Sequence, residues 1–349
     1  MEHIHWKRKK CFLLNSRSKN SFHKREISEN QTPGLPSGSF PEFFIIRRRR
    51  IFVKYCLKCY LIRHKNRREI RKMEHVESLL PAGKKWQLVW NDEFDGTELD
   101  ETKWSYRLHI LQKRQQCLTD TGATLDGKGN LVLSLMEKDG HYYCTQLQTG
   151  ENYLDRPGTK FEENGFAWPI AKFSKPKFMH KYGYYEIRCK LQTQEGWWSA
   201  FWLQSPCIGS SPDPETAGVE VDIMESFRRN NKISHNNHWN GYADDHKSAS
   251  SGDIQLEETP DGYHTFGLEW TPEEYIYYVD GKETWRCSEA VSRREQFILI
   301  STECVGYRWR DPLTGEIVRS DQPCEQLKKA VLPDAFIVDY VRVFDEIKE

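Results

Sequence analysis

No stretch of this 349-residue chain approaches the roughly 20 consecutive apolar residues that a membrane span needs. The most apolar run near the N-terminus, Ile51 to Ile62, is broken by Lys54 and Lys58, so it does not read as a secretory signal. Long helical periodicity is missing, which argues against a helical bundle. No internal repeat is visible, which argues against a repeat architecture. The ten cysteines lack regular spacing, and seven of them, an odd number, follow position 100. That pattern argues against a disulfide framework and for buried free thiols in a reducing compartment. Cys56-x-x-Cys59 with His64 has the start of a zinc site but no second half, so no metal is expected there. With no export signal in view, the expected location is cytoplasmic.

Net charge is also missing, with 51 Lys and Arg against 51 Asp and Glu, yet the balance is uneven along the chain. Residues 1–73 hold 20 basic and 5 acidic side chains, and the remainder holds 31 and 46. K-R-K-K at 7–10, R-R-R-R at 47–50 and R-H-K-N-R-R-E-I-R-K at 63–72 carry most of that basic excess. Residues 1–72 are therefore expected to stand apart as a basic extension, disordered or an untranslated leader with Met73 as the true start. A basic arm for nucleic acid is the competing reading. Residues 73–349 form the expected folded domain, and its acidic balance argues against a polyanionic partner such as nucleic acid.

What is present in quantity is aromatic. The chain has 12 Trp, 16 Tyr and 17 Phe, side chains that suit sugar stacking as well as core packing. From Trp86 onward, short alternating runs recur: Asn130 to Met136, Tyr182 to Leu191, Val219 to Phe227, Tyr263 to Trp270, Tyr275 to Val279, Phe297 to Thr302 and Ile337 to Phe344. Asp126-Gly127, Asp261-Gly262 and Asp280-Gly281 punctuate them as turns. Many short strands with such spacing predict an antiparallel sandwich of two curved sheets.

The stretch V-E-V-D-I-M-E-S-F at 219–227 carries three acids. On a regular strand Glu220 and Asp222 share a face while Glu225 points the other way. One extra residue at a bulge near Ile223–Met224 would return Glu225 to the same face. The outer glutamates would then be about four strand steps apart, roughly 13 Å at Cα, a gap that two inward-leaning side chains narrow. The result approaches the roughly 5–5.5 Å carboxyl separation of retaining glycosidases. Three such acids cannot all ionise cheaply, so their titrations couple and one stays protonated. Alone the spacing is weak, since it turns up by chance in about one chain in ten of this length.

A set of ordered landmarks adds weight. They are L-V-W-N-D-E-F-D-G at 88–96, L-D-E-T-K-W at 99–104, G-N-L-V-L at 129–133, Y-G-Y-Y-E-I-R-C-K-L at 182–191 and G-W-W-S-A-F-W-L at 196–203. Y-H-T-F-G-L-E-W at 263–270, Y-Y-V-D-G at 277–281 and V-D-Y-V-R-V at 338–343 follow the acidic strand. From about Trp86 to Phe344 the chain resembles glycoside hydrolase family 16, especially its laminarinase-like branch with the bulged E-x-D-x-x-E motif. The resemblance implies an all-β, concanavalin-like jelly-roll sandwich with an open substrate cleft on its concave sheet. It implies Glu220 as nucleophile, Asp222 as its helper and Glu225 as acid/base. It also implies Trp198 and Trp202 as sugar-stacking residues and His238 as a cleft histidine. Glu93 and Asp339 resemble ligands of a structural calcium that some members bind, and no cofactor is otherwise required. Two departures stand out: Trp198-Ser199-Ala200-Phe201-Trp202 where W-P-A-F-W is usual, and Val219 where Gly commonly precedes the nucleophile. Segment 155–180, with Trp168-Pro169, is longer than in simple laminarinases.

The expected activity is endo-hydrolysis of a β-linked polysaccharide or oligosaccharide, β-1,3-glucan first, by a monomer without nucleic-acid or membrane partners. The rival readings are an agarase-, porphyranase- or carrageenase-like hydrolase of algal galactans, or a non-catalytic glucan-binding protein. The presence of all three acids speaks against the last.

Overall fold

The computed structural model describes residues 75–107, 116–150, 176–227, 230–242, 245–310, 317–319 and 322–348. The basic runs, Cys56, Cys59 and His64, and most of segment 155–180 lie outside these residues.

In chain order the strands begin with β1 (Trp86–Asp92), β2 (Ser105–Tyr106), β3 (Ala123–Leu125), β4 (Leu131–Lys138), β5 (His141–Tyr143), β6 (Gln146–Gln148) and β7 (Gly183–Lys190). The middle of the chain gives β8 (Trp197–Gln204), the single-turn helix α1 (Pro214–Ala217), β9 (Glu220–Ser226), β10 (Lys232–Trp239), β11 (Lys247–Ser250), β12 (Ile254–Gln255) and β13 (His264–Trp270). The last strands are β14 (Tyr275–Val279), β15 (Lys282–Cys287), β16 (Phe297–Cys304), β17 (Arg308–Arg310), β18 (Ile317–Arg319) and β19 (Asp334–Glu346). No helix among the described residues is long and apolar enough to cross a membrane.

Two antiparallel sheets make the jelly-roll sandwich. One runs β15-β14-β13-β7-β19-β4-β3, with β1 on β19 and β5 on β4. The other runs β11-β10-β9-β8-β16-β6-β2, with β12 on β10. Alternation sets the core, because successive side chains point to opposite faces. Leu131, Leu133, Ile187, Phe266, Leu268, Val341 and Val343 from the first sheet pack against Leu147, Phe201, Leu203, Val221, Ile223, Ile298 and Ile300 from the second. Each such side chain, fully buried, contributes roughly 1.5–3 kcal/mol against the entropy of ordering the chain. The β14–β15 hairpin turns at Asp280-Gly281, where both residues have positive φ (50° and 74°), as a tight Asp-Gly turn demands.

The runs read as strands from sequence appear within a few residues of their expected limits. Alternation did not mark β10. Its sequence K-I-S-H-N-N-H-W buries every second side chain, but two of the four inward ones are His235 and Asn237, which hides the apolar alternation.

Candidate active site

β9 is an interior strand of the eight-stranded sheet, between β8 and β10. α1 delivers the chain to it: Asp213 caps the turn by accepting from Glu215 N–H at 3.0 Å, and Gly218 follows at φ 84°. Val219, just before the first acid, is fully buried in the core.

The register of β9 slips against both neighbours. On one side Phe201 pairs with Met224 and Trp202 with Asp222. On the other, Ser234 pairs with Glu225 and Asn236 with Asp222. β9 therefore carries one residue more than each neighbour between Asp222 and Glu225. Ile223 and Met224 both turn into the core, and Glu220, Asp222 and Glu225 share the face turned away from it.

His235, absent from the sequence reading, faces this bulge as the single residue opposite Ile223 and Met224. Its Nδ1 lies 2.6 Å from the carbonyl oxygen of Ile223, and its Nε2 lies 2.9 Å from Thr284 Oγ1. A carbonyl can only accept, so Nδ1 carries the proton. The ring has no exposed surface, and burial lowers its pKa to about 4, so it stays neutral at ordinary pH. A bulge frees a ladder carbonyl, and here a core histidine satisfies it.

On the outward face Glu220 Oε2 accepts hydrogen bonds from Gln204 Nε2 (3.0 Å) and Tyr242 Oη. Arg107 Nη2 donates to Gln204 Oε1 at 2.9 Å, which fixes the amide with its nitrogen towards the acid. Gln204 Nε2 also donates to Tyr242 Oη at 2.6 Å. Tyr242 exposes 57% of its surface yet turns its hydroxyl inward, and burial of that hydroxyl beside Glu220 raises its pKa well above normal. Asn240 and Gly241, at φ 63° and 75°, fold the chain back so that Tyr242 reaches the acid.

Burial, then the charge of Glu220, pushes the Asp222 carboxyl well above the usual range. Burial, then the charge of Asp222, pushes Glu225 up to about 8, against an opposing hydrogen bond from Asn236 Nδ2 at 2.6 Å. At neutral pH Glu225 therefore keeps its proton, as a general acid must.

The predicted binding residues take several positions. His238 pairs with Glu220 across the ladder, with Nε2 3.4 Å from Asp222 Oδ2 and Nδ1 3.0 Å from His246 Nε2. His246 stacks on both His238 and Tyr242, joining the loop to the acids. Trp198 is half-buried with Phe227 stacked on it at 5.2 Å. Trp202 is 9% exposed; its Nε1 donates to Ser301 Oγ at 2.9 Å and the Arg107 guanidinium lies over its ring at 5.3 Å.

Glu93 and Asp339 lie far along the chain from these acids, on the segment after β1 and on β19, and their surroundings do not fit calcium. Arg342 grips both oxygens of Glu93, at 2.8 and 2.7 Å. Arg188 Nη1 donates to Asp339 Oδ2 at 2.5 Å. His75 Nδ1 stands between the two carboxylates, 3.4 Å from Asp339 Oδ1 and 3.6 Å from Glu93 Oε2, while Nε2 meets Asp95 Oδ1 at 2.9 Å. Calcium wants six to eight oxygen ligands, whereas these oxygens already face two guanidinium groups and an imidazole.

The family model described as glycosyl hydrolases family 16 matches residues 114–299. A glucan endo-1,3-beta-glucosidase A1 from Niallia circulans is 27% identical over 288 residues, covering 76% of this chain but 39% of that protein. The chain thus spans well under half of that relative. A beta-glucanase from Rhodothermus marinus is 28% identical over 279 residues, covering 74% of this chain and 85% of the relative. Among solved structures, the catalytic domain of a laminarinase from Thermotoga petrophila superposes with a TM-score of 0.54 at 23% identity, over 76% of this chain and all of that one.

Proposed function

We propose, on the premise that this chain belongs to glycosyl hydrolases family 16, that it is a retaining endo-glycosidase acting on β-1,3-linked glucan. The observation that carries the reading is the bulged strand, with Glu220, Asp222 and Glu225 on one face and the Glu225 carboxyl raised to about 8. The names of the glucan endo-1,3-beta-glucosidase and beta-glucanase relatives support the linkage.

In this scheme Glu220 attacks the anomeric carbon through Oε1, since the hydrogen bonds from Gln204 and Tyr242 both land on Oε2. The bond to the leaving oxygen breaks as Glu225 gives that oxygen its proton, leaving a glycosyl ester on Glu220. Glu225, now ionised, takes a proton from a water that attacks the same carbon, and Glu220 leaves as a carboxylate. Two inversions give net retention. Asp222, lying between them with its own pKa raised, shares a proton with Glu220, and whenever it is ionised its charge helps Glu225 keep its proton. His238 holds Asp222 from the next strand, and His246 in the following loop supports His238.

Incubation with laminarin, mixed-linkage β-glucan, agarose and porphyran, with product sizing, tests the proposal. Short oligosaccharides from laminarin with the β-anomer formed first are expected. Release from agarose or porphyran alone would transfer the site to algal galactans, and no cleavage of any β-glucan would sink the reading.

A further inference from the structure

On the inner side of the sandwich, the mechanism leaves a second group of reactive side chains unused. Cys117 follows β2, Cys144 follows β5 and Cys304 ends β16, and the three Sγ atoms lie within 4.8 Å of one another. Each is at most 1% exposed, in a satellite core walled by Leu118, Leu135, Tyr142, Trp197, Tyr307 and Leu327. The main chain holds two of them together: Cys144 N–H donates to the Cys117 carbonyl at 2.8 Å, and Thr119 N–H to the Cys144 carbonyl at 3.1 Å. β8 fixes the third, with Cys304 paired to Trp197.

We propose that Cys117, Cys144 and Cys304 bind one soft divalent cation, zinc, which ties these three segments together.

The chemistry favours that occupant. Zinc–sulfur bonds of about 2.3 Å place tetrahedral ligand sulfurs about 3.8 Å apart, and the three Sγ atoms already lie within 4.8 Å of one another. A disulfide would join two of the thiols and strand the third. Thiolates select zinc or monovalent copper over harder ions. An apolar wall penalises net charge, and three thiolates leave one negative charge around a divalent ion but two around a monovalent one. The ligand thiols give up their protons as the metal binds. Cys324, half-buried, packs against the same cluster, but its Sγ is not one of the three that converge and accepts instead from Leu327 N–H at 3.4 Å.

The test uses the full chain purified under reducing conditions without added chelator. Elemental analysis is expected to find about one zinc per chain, and cadmium exchange to give a thiolate charge-transfer band that saturates at one equivalent. Cys117→Ser or Cys304→Ser should weaken cadmium binding by at least about a hundredfold. Cys287→Ser, a buried thiol in the main core, should leave it unchanged. A metal-free chain with no cadmium band, whose cysteines all react with a thiol reagent once denatured, would reduce the cluster to plain packing and overturn the proposal. A mass two hydrogens short would show a disulfide and overturn it equally. The wild-type measurements stand even if a variant fails to fold, and none of them depends on glycosidase activity.

Discussion

The two faces of β9 obey opposite rules. The outward face crowds three acids where burial and mutual charge raise two of their pKa values. The inward face buries Val221, Ile223 and Met224, and its partner His235 is forced neutral. The outer face gives up stability for chemistry, and the inner face supplies what holds it in register. Active sites commonly carry such a cost, and here cost and support lie on the two faces of one strand.

The largest effect should come from the outer face. Glu220→Gln is expected to lower turnover of β-1,3-glucan by about 10⁴-fold while sparing oligosaccharide binding. Unchanged turnover would remove Glu220 from the reaction.

His235→Ala attacks the inner face alone. It leaves the Ile223 carbonyl unpaired and a cavity behind, so denaturant unfolding should show a loss of about 2–4 kcal/mol. Turnover should drop by about 10–100-fold as Glu225 loses its alignment. A stable variant of full activity would show that the bulge needs no partner.

Tyr242→Phe keeps the ring and removes one hydrogen bond to Glu220. A drop of about tenfold in kcat with KM nearly constant is expected. An equal rise in KM would make Tyr242 a binding residue instead.

Glu225→Gln should be inactive on natural substrates yet more stable than the wild type. The folded carboxyl titrates near 8 and the unfolded one near 4.5, so the folded state holds the extra proton between these values. This group costs nothing below pH 4.5, and its cost grows as pH rises towards 8. The gain from the variant should follow that window and reach about 1–3 kcal/mol at pH 8, read from urea melts. His235 runs the other way: its pKa falls from 6.5 to about 4 on folding, so its cost appears as pH drops below 6.5. Between pH 4.5 and 6.5 the two slopes oppose each other.

The smallest effect should be none. Added calcium should shift the melting temperature by less than about 1 °C, because Arg342, Arg188 and His75 engage the carboxylates. A clear rise with calcium would restore the metal site at Glu93 and Asp339.

Much of this was legible in one dimension. Alternation located β4, β7, β9, β13, β14, β16 and β19, since strand side chains repeat every two residues and the apolar face shows. The spacing Glu220-x-Asp222-x-x-Glu225 demanded an extra residue near Ile223–Met224, which is where the register slips. β10 escaped because its inward His235 and Asn237 are polar side chains made tolerable by partners far along the chain. Asn240-Gly241 was a usable turn signal that could have drawn attention to Tyr242. Nothing local marked Gln204 or Arg107, which sit 16 residues or more from Glu220.

By itself the sequence determined seven of the strands, the acids and the one-residue excess between them, because these depend on local periodicity. Only the tertiary structure decided that His235 satisfies the bulge, that Glu225 holds its proton and that arginines and a histidine face the expected calcium ligands. Those outcomes depend on burial and on partners distant in the chain, and spacing carries no record of either.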